Sequence, residues 1–428
     1  MTPPESPSRK DQPGAAPGAA SGPERTGESG RTGAGSPLEV FAVTLRLGLT
    51  SFGGPIAHLG YFHREYVVRR RWLDEQSYAD LVALCQFLPG PASSELGIAI
   101  GMRRAGLLGG LAAWLGFTLP SAVALTAFAL LLRGSSAAGT AWIHGLQLVA
   151  VPVVALAIWT MGQRLITDRT RATIAAAAAV VLLAWPLPVT QVLVILAAGL
   201  AGWRLLPVDG NVPALSEADS LLVSRRVAIA AWVILLALLA GLPIARHLTA
   251  SHAVAVADTF FRTGALVFGG GHVVLPLLQA AVVPPGWVGT HQFLAGYGAA
   301  QAVPGPLFTF AAYLGAIEGP APHGVTGAAL ALGAIFLPAF LLVTGALPFW
   351  SILRHRHGIR AALAGVNAAV VGFLVAALYH PIWTSSVRSS TDVIIVLIGF
   401  NLLAWWRSPP WLVVAVTVGL SVFVSRLS

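Results

Sequence analysis

Along this chain, apolar stretches long enough to cross a bilayer as helices, which takes about 20 residues each, alternate with short polar connections almost end to end. From Leu38 onward they fall at about 38–62, 78–100, 106–133, 138–160, 172–186, 188–204, 225–243, 256–283, 292–317, 324–350, 360–379, 391–406 and 409–425. In hydrocarbon only helices and closed barrels satisfy their own backbone polar groups, so the pattern predicts an all-α polytopic membrane protein. The least distinct boundaries are at Trp185-Pro186 and Ser408-Pro409-Pro410, where proline divides a nearly continuous apolar run. Residues 1–36 differ: Pro, Gly, Ala, Ser and Thr carry four basic and four acidic residues without an apolar run. They are expected to form a disordered tail, not a signal peptide.

Composition narrows the function classes. Of 428 residues, 56% are hydrophobic and only 10% charged, against roughly 25% charged in a soluble domain, which excludes an ordinary soluble enzyme. The single cysteine, Cys85, excludes an internal disulfide and argues against structural zinc. A net charge of +9 comes from 25 Arg and one Lys scattered between apolar runs. They read as topology signals, with no basic face for nucleic acid. No nucleophile motif, phosphate loop or metal-ligand cluster stands out. The expectation is a protein that is not an enzyme and holds no cofactor or metal; transport driven by ATP would need another chain.

An internal repeat organises the membrane part. SFGG at 51–54 returns as VFGG at 267–270, Arg46 as Arg262, and Trp72 as Trp287. QFLPGP at 86–91 returns as QAVPGP at 301–306, Pro120 as Pro338, and Gly145 as Gly365, with offsets held between 215 and 220. The expected organisation is a first repeat over 37–204, a linker with an unpaired transmembrane helix over 205–255, and a second repeat over 256–428. An odd number of crossings separates the two starts, so the repeats are expected to be inverted. Lys and Arg count 16 on the tail side against 8 on the other. If the segments holding FGG and PGP are re-entrant hairpins, the count becomes 20 against 4 and the inversion survives.

The breaks are the candidate chemistry. Glycines and prolines inside an apolar segment free backbone groups that hydrocarbon cannot satisfy. Half-helix N-termini near the midplane are a route to anion binding in transporters; a packing kink is the competing explanation. The candidate substrate-binding residues in the first half are Ser51, Phe52, Gly53, Gly54, Pro89, Gly90, Pro91, Ser93 and Ser94. In the second half they are Phe268, Gly269, Gly270, Gln301, Pro304, Gly305 and Pro306. Arg46 and Arg262 each lie seven residues before an FGG glycine, on the same helical face. They are expected to face inward and attract an oxyanion, snorkelling being the alternative. Glu95 follows the first PGP, whereas its counterpart is Phe310. A carboxylate required in one half only is the candidate proton-coupling group, the alternative being a structural pair with Arg103 or Arg104. His58 and His272 do not align in the repeat and read first as structural histidines. Gln86 with Gln301 and Gln147 with Asn367 are paired polar positions, explained equally by substrate contact or interhelical hydrogen bonding.

The motifs LGLTSFGGPIAHLGYF, RRRWLDEQSYADLVALCQFLPGPASSELGIAIG, GFTLPS, VFGGGHVVLP and QAVPGP together resemble the chromate ion transporter (CHR) family in its long, two-repeat form. The resemblance covers about 38–380. It implies a secondary transporter of a bacterial-type plasma (inner) membrane that exports chromate and confers chromate resistance. Sulfate or another oxyanion is the leading alternative substrate, and an anion channel the alternative class. The implied partners are the anion, the lipid bilayer, a proton as candidate coupling ion and a second copy as candidate homodimer partner. The second half departs from the pattern, having VFGGGH for SFGGPI and no Glu after PGP, which weakens residue-by-residue carry-over there.

The tail lacks both an apolar surface and a counterpart in the second repeat, so deleting residues 1–36 is expected to leave membrane abundance and transport unchanged. Substrate flux per inserted protein checks this, and a loss at normal abundance would refute it.

Overall fold

The computed structural model describes residues 35–133, 140–207, 223–268, 271–350 and 356–427, and all regular structure among them is helical. Residues 1–34, 134–139 and 208–222, the glycines Gly269 and Gly270, residues 351–355 and Ser428 lie outside the described residues.

The first half starts where the Ser36 side chain accepts a hydrogen bond from the Glu39 N–H, with Pro37 in the opening turn of α1 (Pro37–Thr50). Then follow α2 (Gly54–Phe62), which runs on as a π-helical turn to Arg69, α3 (Glu75–Phe87), α4 (Ala92–Arg133), α5 (Ala141–Leu165), α6 (Arg169–Ala184) and α7 (Pro188–Leu205). After α8 (Arg225–Leu248) come α9 (His252–Leu266), α10 (Val274–Val282), α11 (Thr290–Ala302), α12 (Phe310–Ile317), α13 (Gly324–Ala346), α14 (His357–Ala377), α15 (Ser390–Ala404) and α16 (Pro410–Ser425). Among the described residues, five helices are long and apolar enough to cross a membrane: 92–133, 141–165, 225–248, 324–349 and 357–386. The protein is therefore a polytopic helical membrane protein.

Four expected segments, 38–62, 78–100, 256–283 and 292–317, are each two helices rather than one. Helix α4 is also two arms: Ala105 (φ −145°) and Gly106 (φ +63°) leave helical geometry, and the 92–104 and 107–133 arms fold back on each other. The reason is size. A Cβ on Gly101 would overlap the Gly109 carbonyl, and in the second half a Cβ on Gly315 would overlap that of Gly327. Small residues let membrane helices approach this closely.

The same device joins first helix to hairpin in each half. Gly48 of α1 packs on the Gly116–Phe117 backbone of α4, and Gly264 of α9 packs on Ile335 of α13. The terminal hairpins, however, are exchanged. Helix α5 of the first half packs against α15 and α16 of the second, with Gly145 against Val418 and Ser421. Helix α14 of the second half packs against α6 and α7 of the first, with Gly365 against Ala198 and Gly202. Helix α8 lies along α9 and α13, where Trp232 Nε1 donates to the Gly345 carbonyl at 3.0 Å.

Gly264→Val and Gly365→Val, which push a side chain into backbone, are expected to cost about 1–3 kcal/mol each. Gly333→Val is the control, since nothing lies within 4 Å of a Cβ there. Thermal unfolding in detergent should rank the control near the parent and both others well below it.

Candidate functional site

Helix α1 ends at Thr50, where Ser51 turns extended, and the chain enters α2 through Gly53 (φ +102°) and Gly54 (φ +77°), left-handed backbone that other residues adopt only with strain. Helix α3 ends at Leu88-Pro89-Gly90-Pro91, with Gly90 at φ +140°, and α11 ends before Pro304-Gly305-Pro306, with Gly305 at φ +101°. A Pro-Gly-Pro unit keeps only one backbone N–H, that of its glycine. Both of these donors cross to the other half. Gly90 N–H donates to the Val267 carbonyl at 2.7 Å, and Gly305 N–H donates to the Ser51 carbonyl at 2.9 Å. Ser51 and Val267 are the residues just before Phe52 and Phe268, so each PGP is tied to the FGG break of the opposite half.

Beside this crossing lies a cavity of about 340 Å³ lined from both halves. The first half contributes Gly53, Gly54, Gln86, Gly90, Ala92, Ser93, Thr160 and Arg164; the second contributes Gly271, His272, Gln301 and Asn367. Ala92 and Ser93 open α4, and N–H groups of a first helical turn have no intrahelical acceptor. Those of Ser94 and Glu95 are already turned back onto the Pro91 carbonyl, at 2.7 and 3.0 Å. The cavity therefore meets the positive end of α4 and, through Gly53 and Gly54, that of α2. The corresponding start in the second half is closed: Leu307–Thr309 form a buried 3₁₀ turn whose Thr309 hydroxyl donates to the Pro306 carbonyl at 2.7 Å.

The expected site residues divide accordingly. Gly53, Gly54, Gly90, Ser93 and Gln301 line the cavity. Pro89 and Pro304 are half-buried beside them, Pro91 and Pro306 fully buried, and Phe52 and Phe268 half-buried. Ser51 and Ser94 are buried with hydroxyls that lack a partner, and Ser93 Oγ hydrogen-bonds His58 Nδ1 at 3.2 Å. Gly269 and Gly270 fall outside the described residues. His272 lines the cavity, its Nδ1 3.0 Å from the Tyr297 hydroxyl. Gln147 is elsewhere, donating to the His291 carbonyl at 3.3 Å.

The two arginines do not come together at the cavity. Arg46 is exposed on α1, and Arg262 is bound to the fully buried Asp258 at 2.5 Å, which Arg246 also contacts at 3.2 Å. Counting seven residues back from a glycine presumes one continuous helix, but α1 ends at Thr50 and α9 at Leu266, each three residues short of that glycine. The charged residue that does line the cavity is Arg164, in the last turn of α5. Thr160 stands one turn before it, a spacing visible in the sequence; that this helix end reaches the breaks is not visible there. Glu95 is completely buried, and neither carboxylate oxygen has a partner. It lies against the break, since a Cβ on Gly90 would overlap Glu95 Oε1. It contacts neither Arg103 nor Arg104 through an ion pair; Arg104 reaches Glu39 instead, at 3.2 Å. Among the described residues no group of three or more His, Cys, Asp or Glu is placed to hold a metal.

The model of the family described as chromate transporter matches residues 38–203 and 254–422. A chromate transport protein of Pseudomonas aeruginosa is 31% identical over 353 residues, covering 78% of this chain and 79% of its own length. A probable chromate transport protein of Synechococcus elongatus is 27% identical, covering 78% and 81%, and a chromate transport protein of Cupriavidus metallidurans 26% identical, covering 78% and 80%. No solved structure matches the chain significantly.

The contact between Gly90 and Glu95 predicts non-additivity. Gly90→Ala should lower the melting temperature by several degrees, because it meets both backbone strain and the carboxylate. Adding Glu95→Ala should recover part of that loss. Equal effects of Gly90→Ala in the two backgrounds, read from thermal unfolding of all four proteins, would place the carboxylate away from the break.

Proposed function

The chain belongs to the chromate transporter family, and from that premise we propose that this membrane transporter exports chromate by alternating access at the cavity between the helix breaks. The observation that carries the reading is the cavity lining: apolar walls that include Leu59, Leu156, Met161 and Leu403, with backbone from breaks of both halves, a few neutral polar side chains, and Arg164 as the one charged lining residue among the described residues. A tetrahedral dianion suits such a site. The positive ends of α2 and α4 compensate part of its charge, the Arg164 fork supplies more, and Ser93, Gln86, Gln301 and Asn367 donate neutral hydrogen bonds.

In this reading residues 37–204 and 256–428 are inverted repeats separated by a 205–255 linker carrying α8. The paired breaks at FGG and PGP, the crossed hydrogen bonds of Gly90 and Gly305, and the exchanged hairpins favour such a relation. The half-helix start that is open in the first half and closed in the second fits a transporter resting with one side accessible. In the opposite state the two halves would trade these roles. Arg46 and Arg262 take no direct part in binding here, whereas Ser51, Phe52, Phe268 and the glycines and prolines of the breaks shape the pathway. Glu95 is the candidate proton carrier, being buried, unpartnered, in contact with Gly90, and replaced by Phe310 in the second half.

Sulfate is the second reading for the substrate. The lining residues recognise shape and charge, which chromate and sulfate share, and nothing in the lining reads the central atom.

Radiolabelled chromate flux into proteoliposomes, with competing sulfate and an imposed pH gradient, tests the proposal. Arg164→Ala is expected to weaken the apparent affinity tenfold or more, about 1.4 kcal/mol, Arg164→Lys to recover part of it, and Arg46→Ala to change it less than twofold. Glu95→Gln should preserve exchange and abolish accumulation driven by a pH gradient. An unchanged affinity in Arg164→Ala would remove Arg164 from the site. Competition by sulfate at equal concentration would favour a broader oxyanion substrate range, and single-channel currents would replace the transporter reading with a channel.

A further inference from the structure

Each half ties the start of its first long helix to the bend of its hairpin, and the charges of the two ties are exchanged. In the first half Glu39, in the opening turn of α1, accepts from Arg104 Nη2 at 3.2 Å. The Arg104 and Arg70 guanidinium groups lie 5.1 and 5.5 Å from the Trp72 ring. In the second half His252, the first residue of α9, and Glu318, which ends α12, approach to 3.2 Å between Nε2 and Oε2. The His252 ring stands edge-on to Trp287 at 4.6 Å, and Arg246 lies 5.9 Å from the same ring. Trp72 and Trp287 are repeat partners, and Arg104 and Glu318 are related by the spacing that relates Gly101 to Gly315. Backbone bonds brace both ties: Gly35 N–H donates to the Arg104 carbonyl and Gly319 N–H to the Trp287 carbonyl, each at 3.1 Å.

We propose that His252 and Glu318 form a proton-binding site, a clasp that holds one proton when closed and opens when that proton leaves, while the Glu39–Arg104 clasp stays closed. The inference does not depend on the identity of the substrate.

The asymmetry is chemical. Arginine stays charged at every relevant pH, so the first clasp has no exchangeable proton on its cationic side. The second pairs an imidazole with a carboxyl whose side chain is only 2% exposed. Burial pushes the Glu318 carboxyl up to about 8, with Arg133 pulling weakly the other way. Burial, and then the nearby Arg246, hold the His252 imidazole below its usual value.

The sign follows from comparing closed and open forms. For Glu318 the closed value is raised above that of a water-exposed carboxyl, so its contribution to closure is complete below about pH 4.3 and is lost as pH rises through about 8. For His252 the closed value is depressed, so its contribution is present above about pH 6.5 and falls below it, opposing the first on the acid side. The net response therefore lies where the Glu318 effect is no longer opposed, between about pH 6.5 and about 8, and is complete by about pH 9. The groups around the pair do not reverse this. Arg133 is turned to the Ala316 carbonyl at 3.4 Å, and Arg246 is engaged with Asp258, which Arg262 also holds. His323, in the same bend, supplies its carbonyl to Thr326 at 3.0 Å.

Spin-label distances test the clasp without reference to transport. In a Cys85→Ser background, labels at Ser251→Cys and Gly319→Cys, both exposed, flank the second clasp; labels at Leu38→Cys and Leu108→Cys, also exposed, flank the first. Raising the pH from 7 to 9 is expected to reduce the short-distance population of the 251/319 pair at least threefold and to leave the 38/108 pair unchanged. Glu318→Gln, which has no proton to lose, should stay closed at pH 9. His252→Arg, which copies the first clasp, should do the same. An unchanged 251/319 distance, an equal response of both pairs, or a response that persists in Glu318→Gln would overturn the proposal.

Discussion

Everything in this molecule turns on the backbone polar groups set free where its helices break. Inside hydrocarbon each such group costs several kcal/mol if left unpaired, so four breaks are tolerated only if the chain finds partners for them. Proline on both sides of Gly90 and Gly305 reduces each PGP to a single donor, and both donors are spent across the molecule, on Val267 and Ser51. The arrangement brings the breaks to one place and ties each half to the other at its weakest point. The cavity beside them follows directly, because the half-helix ends that meet there leave Ala92 and Ser93, in the first turn of α4, facing open space.

Packing reinforces the same interdependence. Neither half is complete alone: α5 buries its glycine-containing face on α16, and α14 buries its own on α7. Without a hydrophobic driving force in lipid, such contacts rely on close van der Waals fit between small residues. Exchange of the terminal hairpins therefore packs each half on the other beyond the crossing bonds themselves, and the cavity sits beside that crossing.

Function enters through departures from symmetry. Glu95 faces Gly90 in the first half, and its counterpart Phe310 packs among Phe293, Tyr297 and Tyr313. Arg164 reaches the cavity from the end of α5, while the offset that relates Gly145 to Gly365 puts Thr384 opposite it. Where the first half pairs Glu39 with Arg104, the second pairs His252, three residues before the Ala255 that the Arg46–Arg262 offset places opposite Glu39, with Glu318. The two matched stretches share their helix breaks, and these unmatched residues place charged or titratable side chains in one half only.

Much of this was legible without coordinates. A chain that is 56% hydrophobic and 10% charged has no soluble way to bury itself, and the period of its apolar runs leaves helices as the only element. The repeat, the glycine and proline breaks and the isolation of Glu95 in one half are likewise properties of the linear order. Which break meets which is not, because hydrogen bonds between residues 90 and 267 and between 305 and 51 depend on how two halves dock. Helical arithmetic put Arg46 and Arg262 on the face of the FGG glycines, yet that face is exposed in one case and neutralised by Asp258 in the other. Spacing along a helix determines a direction for a side chain. Only the tertiary structure decides what lies in that direction, and so it was the packing of α5, not any motif, that brought Arg164 to the cavity.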